Sequence, residues 1–284
     1  MKIGSFLKLT AATAVLGLMA LVSQVNQAAA QESDWDRIMR TGVVKVAVIP
    51  NRAPYFWDEN KEWKGFTAEM SRDIVKGLSV AMNKELKTEW IITSYATVIL
   101  DIQASKVDFF IGMAFSEERL KALNMFGPMW AVPNVAVNRK DFKIGDTWAV
   151  YNRPEVNIAV QMGTTDEDAA RKFLPNAKIR GLKGFAETVL DVQSGNSQTF
   201  VASVLTGMGA LKENPSLGDL VVLQPVFALP SGGGVRRDGD GRLFEWLQGW
   251  AWSYRNSGWS QRRIVESMKD AGLPVERLPP DLKF

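Results

Sequence analysis

Val107-Asp108-Phe109-Phe110-Ile111-Gly112-Met113-Ala114-Phe115-Ser116-Glu117-Glu118-Arg119 is the stretch whose reading decides the fold. It opens on a short apolar run, 108–111, that reads as a strand. It then crosses a glycine-bearing turn and enters a charged segment, 117–124, that reads as a helix. The same change of period recurs on both sides of it.

Upstream, Val43-Val44-Lys45-Val46-Ala47-Val48-Ile49 is rich in β-branched residues and reads as a strand. Residues 67–84 place Met70, Ile74, Val75, Leu78, Ala81 and Met82 at helical spacing. A strand over 89–93 and a helix over 97–104 follow. Downstream, 131–137 reads as extended, and strands over 156–161, 178–182, 199–202 and 220–223 enclose helices over 165–173 and 185–193. Two helices close the chain, 241–256 and 260–271. In the first, Leu243, Trp246, Leu247, Trp250 and Tyr254 form one stripe, the pattern of a core face rather than a cofactor box. Strands alternating with helices predict an α/β fold with mainly parallel sheets. Two segments, 133–138 and 228–234, are candidate crossings between lobes. The second contains Pro230-Ser231-Gly232-Gly233-Gly234, which reads either as a hinge or as an ordinary surface loop.

The first 30 of the 284 residues read as a cleavable secretory signal. Lys2 and Lys8 precede an apolar core ending near Val22, and Ala28-Ala29-Ala30 supplies small residues before the cut. The alternative is a membrane anchor, but the apolar core is shorter than the roughly 20 residues that span a bilayer. The formal charge of +3 includes Lys2 and Lys8, so the mature chain carries about +1. Its Lys and Arg residues are scattered, unlike the basic footprint of a nucleic-acid binder. The chain has no Cys and no His, which excludes thiol nucleophiles, Ser-His triads and the usual metal sites. No metal and no cofactor are expected.

Three segments share an order that carries further information. Gly65-Phe66-Thr67-Ala68-Glu69-Met70, preceded by Ala53-Pro54-Tyr55-Phe56-Trp57, stands at the first long helix. The 107–119 stretch comes next, and Val160-Gln161-Met162-Gly163-Thr164-Thr165 third. Together they resemble family 3 of the periplasmic solute-binding proteins, the amino-acid-binding class of ABC importers, over essentially the whole mature chain. The resemblance implies a periplasmic binding protein-like type II fold, with two α/β lobes joined by a two-strand hinge around a ligand cleft. Residues 31–134 plus 230–284 would form one lobe and 135–229 the other. It also implies a periplasmic monomer that does not itself span the membrane, a small-molecule carboxylate ligand, and an ABC transporter permease as partner.

Arg119 is the expected carboxylate holder, because a guanidinium fork can bind a carboxylate through two parallel hydrogen bonds and Lys cannot. From local sequence alone it reads equally as a solvated helix Arg paired with an acid. Gly163-Thr164-Thr165, between a strand and a helix, would offer backbone N–H groups and hydroxyls to an anion. Its other reading is a Thr N-cap with Asp166, Glu167 and Asp168 as first-turn acids. Both readings can hold together.

Several positions depart from the family's pattern. Ala114 stands where a Thr or Ser is usual, two residues after Gly112. Ser203 falls where the family places the Asp that pairs with a ligand ammonium, and a hydroxyl cannot neutralise that charge. Arg52 takes the place of an aromatic in the first cleft loop. With Arg119 it would give a cleft with two guanidinium groups and no obvious acid, hence a ligand more anionic than a standard amino acid or lacking an α-ammonium. Alternatively Arg52 faces solvent and Asp58 or Glu69 meets the amine. Phe56 or Trp57, and Trp130, are candidate apolar walls, or lobe core. Two further functions share the scaffold: an enzyme resembling cyclohexadienyl dehydratases, which would need an acid or base poised at a leaving group, and a ligand-sensing module for a membrane receptor.

Overall fold

The computed structural model describes residues 32–50 and 53–275; the signal-like segment 1–30 and Arg52 lie outside the described residues. The first element is a helix that the spacing of apolar residues does not announce, α1 (Asp34–Thr41). The Ser33 hydroxyl accepts from the Asp36 N–H at 3.1 Å, acids occupy the first turn, and Gly42 ends the helix at φ +70°.

The chain continues through β1 (Val43–Val48), a hairpin of β2 (Trp57–Glu59) and β3 (Glu62–Lys64), α2 (Phe66–Ala81), β4 (Lys87–Ile92), α3 (Val98–Gln103), β5 (Phe109–Ala114) and α4 (Glu117–Ala122). The long strand β6 (Asn124–Arg139) leads into α5 (Trp148–Tyr151), β7 (Asn157–Gln161), α6 (Thr165–Phe173), β8 (Lys178–Leu182), α7 (Phe185–Gln193), β9 (Thr199–Ser203), α8 (Val204–Glu213) and β10 (Leu217–Val222). β11 (Ala228–Val235), α9 (Arg242–Asn256) and α10 (Trp259–Asp270) complete the described chain.

In the first lobe β1 pairs in parallel with β4 and β5, and β11 pairs antiparallel with β5. In the second, β7 pairs in parallel with β8 and β9. β6 belongs to both. Its first part pairs with β11 from Asn124↔Val235 to Pro133↔Ala228, and its last part pairs with β9 and β10. The expected architecture of two α/β lobes joined by two strands is therefore present, and β6 and β11 are the joining pair.

The lobes are held by their cores. One cluster contains Phe66, Phe109, Phe110, Phe126 and Trp130, and a second contains Trp148, Tyr151, Ile158, Val160, Leu174 and Val201. Each such large apolar side chain contributes about 1.5–3 kcal/mol, whereas an exposed pair such as Lys121–Glu117 contributes about 0–1 kcal/mol. The α9 stripe is core as expected: Leu243, Leu247 and Tyr254 are buried, with Trp246 and Trp250 packed half-buried beside them.

Two expectations are corrected. The glycine run is neither a surface loop nor loosely held: Gly232, Gly233 and Gly234 are buried inside β11. A Cβ on Gly232 would stand 2.3 Å from the Phe126 carbonyl oxygen, and one on Gly233 would stand 2.2 Å from the Phe126 ring. These glycines serve close packing of two strands. The second correction is α8, absent from the sequence reading because Gly207 and Gly209 lower its apparent helix propensity. A Cβ on Gly207 would meet Val135 at 2.9 Å, and one on Gly209 would meet the Ala53 carbonyl oxygen at 2.7 Å. The second contact is between lobes. Among the described residues no helix is long and apolar enough to cross a membrane.

Candidate functional site

β5 ends at Ala114, and the Ser116 hydroxyl caps α4 by accepting the Arg119 N–H at 3.3 Å. This strand-to-helix turn places Arg119 in the first turn of α4 with its side chain pointed inward rather than to solvent. Arg119 is only 6% exposed. Its Nη1 donates to the Ala114 carbonyl at 2.9 Å and its Nη2 to the Gly163 carbonyl, in the other lobe, at 3.1 Å. Among the described residues no carboxylate lies within ion-pair distance of it. Burial holds its pKa below the usual arginine value, opposed by the nearby Tyr95, Asp168, Asp166 and Glu118.

The facing turn follows β7. Gly163 adopts φ +75°, which favours glycine, and a Cβ there would sit 3.1 Å from the Tyr95 carbonyl oxygen of the first lobe. The Thr164 hydroxyl accepts the Glu167 N–H at 3.2 Å and donates to the Gln161 carbonyl at 2.7 Å. Glu167 reaches back to accept the Gly163 N–H at 2.9 Å. Thr164 is thus an N-cap, and it also faces the cleft.

A cavity of about 50 Å³ lies between the lobes. It gathers Gly112, Ala114, Arg119, Trp130, Thr164, Thr165 and Ser203, all singled out in the sequence. Trp130 is both wall and core, its ring edge-on to Phe66 at 5.2 Å. Phe56 is corrected: it is 1% exposed and packs on Phe110 away from the cavity, while the preceding residue, Tyr55, lines it. Trp57, in the β2–β3 hairpin, is not a lining residue. Tyr95, Val132, Asn134, Asp166, Leu229 and Ser231 also line the cavity and were not anticipated. Val132, Asn134, Leu229 and Ser231 come from the joining strands β6 and β11, so each names itself once those strands are known to frame the cleft.

The expectation of a cleft without an obvious acid is also corrected. Asp166 lines the cavity, 9% exposed, and accepts a hydrogen bond from Asn134 Nδ2 at 2.6 Å. Neither acid named as an alternative is there: Asp58 is exposed in the hairpin, and Glu69 pairs with Arg72. Ser203 is on the wall, but its hydroxyl already meets Tyr55 Oη at 3.1 Å, Thr206 Oγ1 at 2.9 Å and the Thr206 N–H.

The Tyr55–Ser203 contact joins the two lobes, as does Arg119–Gly163. The cleft is therefore closed. A contact made only on closure contributes to solute affinity, and a neutral hydrogen bond contributes about 1 kcal/mol. Tyr55→Phe is expected to weaken solute binding about 5-fold, measured by titration calorimetry. Unchanged affinity would show that the contact does not survive in the liganded state.

Comparison with known proteins follows the same lines. A family model described as bacterial extracellular solute-binding proteins, family 3, matches residues 44–260. A protein of Campylobacter jejuni named "Probable histidine-binding protein" is 26% identical over 179 residues, covering 62% of this chain and 66%, just under two thirds, of its own length. The "Glutamate/aspartate import solute-binding protein" of Escherichia coli is 26% identical over 223 residues, 74% of this chain and 72% of that protein. Among solved structures, an ancestral amino acid-binding protein described as a precursor of cyclohexadienyl dehydratase superposes with a TM-score of 0.69 at 27% identity, covering 82% of this chain and 99% of that one. A solute receptor for L-cysteine of Neisseria gonorrhoeae has a TM-score of 0.74 at 21% identity, covering 88% and 98% respectively, a likeness of fold alone.

Proposed function

The chain belongs to the bacterial extracellular solute-binding proteins, family 3, and from that premise we propose that it captures a small carboxylate-bearing solute, an amino acid or related organic acid, in the periplasm for an ABC importer. The observation that carries this reading is Arg119: a guanidinium buried at an interlobe cavity, hydrogen-bonded to carbonyls from both lobes, without a carboxylate partner among the described residues. A buried cation is costly unless paired, and a solute carboxylate supplies the pair. Thr164, Thr165, Gly112, Ala114 and Ser203 would surround the solute, with Trp130 as apolar wall. The names of the relatives from Campylobacter and Escherichia favour an amino acid.

Residues 31–134 plus 230–284 would act as one lobe and 135–229 as the other, each contributing contacts that exist only on closure. Ligand would thereby bias the open–closed equilibrium, and the closed monomer would present the surface that a permease recognises. Export rests on the 1–30 segment.

A thermal-shift panel tests the reading. At ~100 times its dissociation constant, a true ligand stabilises the fold by about 2.7 kcal/mol, a rise of several degrees. Standard amino acids and small organic acids form the panel, and any hit is followed for turnover, with none expected. A panel in which no carboxylate shifts the midpoint would sink the proposal. Conversion of a hit would replace it with the dehydratase-like reading.

A further inference from the structure

Resting on the proposed solute-binding role, we infer that the cavity selects its solute by size, admitting a short carboxylic or amino acid with a small apolar group or none, and that Val132 and Leu229 on the joining strands set that limit. The cavity measures about 50 Å³. One water needs about 10–15 Å³, so this is room for roughly three to five water-sized groups. Bonded atoms sit closer together than neighbouring waters, and the space therefore fits a solute of about four to six non-hydrogen atoms. A carboxylate on Arg119 uses about half of them. An amine, a hydroxyl, or a methyl or ethyl group fills the rest.

The walls resist a larger guest. Two close approaches of backbone set the width of the closed cleft, both at glycines of the second lobe. A Cβ on Gly163 would stand 3.1 Å from the Tyr95 carbonyl oxygen, and one on Gly209 would stand 2.7 Å from the Ala53 carbonyl oxygen. A longer solute must hold the lobes apart. Doing so gives up the Arg119–Gly163 hydrogen bond at 3.1 Å and the Tyr55–Ser203 contact at 3.1 Å. Trp130 does not yield either, being 1% exposed and edge-on to Phe66 at 5.2 Å.

The floor of the cavity sets the polarity. Val132 of β6 and Leu229 of β11 are register partners, and Trp130 lies on the same face of β6 two residues before Val132. The polar side chains beside them are turned to protein partners. Asn134 donates to Asp166 at 2.6 Å, and the Ser231 hydroxyl donates to the Leu229 carbonyl at 3.4 Å. A charged group lying over Val132 and Leu229 would lose its water without gaining a partner. A methyl or ethyl group would pack there.

The test is titration calorimetry of the whole protein against two straight-chain series, glycine to norleucine and acetate to hexanoate, with the remaining standard amino acids alongside. In whichever series binds, affinity should peak at about two to four carbons and fall at least about 30-fold by the longest member, since a methylene more or less in a fitted pocket changes binding about 10-fold or more. Aspartate, close in length to 2-aminobutyrate but charged, should bind at least about 10-fold more weakly than it. Leu229→Ala should move the peak to longer chains by about one or two carbons and narrow the deficit of the longest member to a few-fold. Glutamate, lysine or arginine binding as tightly as the short acids overturns the size limit and leaves carboxylate capture standing. A peak that stays in place in Leu229→Ala overturns the assignment to the joining strands. If no carboxylate in the set binds at all, the solute-binding proposal falls and the size limit falls with it. The chain-length series on the unaltered protein decides the limit even if the variant fails to fold.

Discussion

Arg119→Ala is expected to abolish measurable solute binding while leaving the unliganded protein close to its original stability. The two halves of that result separate a binding role from a structural one. On the binding side, the guanidinium would form charge-assisted hydrogen bonds to a desolvated carboxylate, and truncating one partner of such a pair costs about 2–5 kcal/mol or more. That corresponds to at least about a 30-fold loss and extends to several thousand-fold. The loss is compounded because Arg119 also ties α4 to the Gly163 carbonyl of the other lobe, so closure itself is weakened. Arg119→Lys should recover little, since an ammonium cannot hold Ala114, Gly163 and a carboxylate in the planar geometry of the fork.

On the stability side, Arg119 is paired with carbonyls only, and burial already works against its charge. Its removal deletes an unpaired buried cation and leaves a space that merges with a cavity lined in part by polar side chains rather than a sealed apolar void. The change in unfolding free energy should therefore stay within about 1 kcal/mol, well short of the 2–5 kcal/mol of a core truncation. Calorimetric titration and a thermal melt of the same sample read both quantities. Binding retained within a few-fold would move the carboxylate site elsewhere. A large fall in midpoint would make Arg119 a structural residue.

Much of this site is legible in the sequence. The 107–119 stretch announces strand, turn and helix through its own periodicity, and that local geometry turns Arg119 inward. The Gly163-Thr164-Thr165 turn was readable for the same reason, since caps and tight turns are written in consecutive residues. What escaped depends on pairs distant in sequence. Tyr55 and Phe56 are adjacent and both aromatic; which one faces the cleft depends on how the 53–57 loop lies on α2, where the Phe66 N–H meets the Pro54 carbonyl and the Thr67 hydroxyl the Tyr55 carbonyl. In the sequence Asp166 is one of three interchangeable first-turn acids, and its place on the cavity wall, with a hydrogen bond from Asn134 32 positions away, separates it from Glu167 and Asp168. The buried glycines of β11 suggest a loop by composition, and only the close approach of the neighbouring strand, the Phe126 carbonyl at Gly232 and the Phe126 ring at Gly233, explains a strand.

Asp108, the residue just ahead of β5, should carry the largest stability effect in the first lobe. It is fully buried and joins three elements. The Lys45 N–H of β1 donates to its Oδ2 at 2.7 Å, Arg37 of α1 forms an ion pair with the same oxygen, and its own backbone continues into the strand that presents Gly112 and Ala114 to the cavity. Asp108→Ala leaves the largely buried Arg37 without its anion, and breaking a buried pair in this way costs about 3–5 kcal/mol. Urea denaturation should show that loss, and adding Arg37→Met should restore part of it by removing the stranded charge. The pair also has a signature in pH. Burial outweighs Arg37 and the Lys45 N–H and pushes the Asp108 carboxyl up from its ordinary value of 3.8 to about 6. The folded state therefore holds its proton to higher pH than the unfolded chain does. Between about pH 4 and 6 the native state binds more protons, so this group's contribution to stability is greatest below pH 4, falls as pH rises through 6, and is constant above. A shift of that size corresponds to on the order of 3 kcal/mol across the window. Carboxyls held below their ordinary values, among them Asp101 and Asp191, act in the opposite sense and at lower pH, so the quantity to measure is the difference between the unaltered protein and Asp108→Asn. Asn keeps an acceptor for the Lys45 N–H and cannot titrate. The difference curve should decline from pH 4 to 6 and then level. A curve that rises over that range would mean that Arg37 outweighs burial and that Asp108 is ionised throughout.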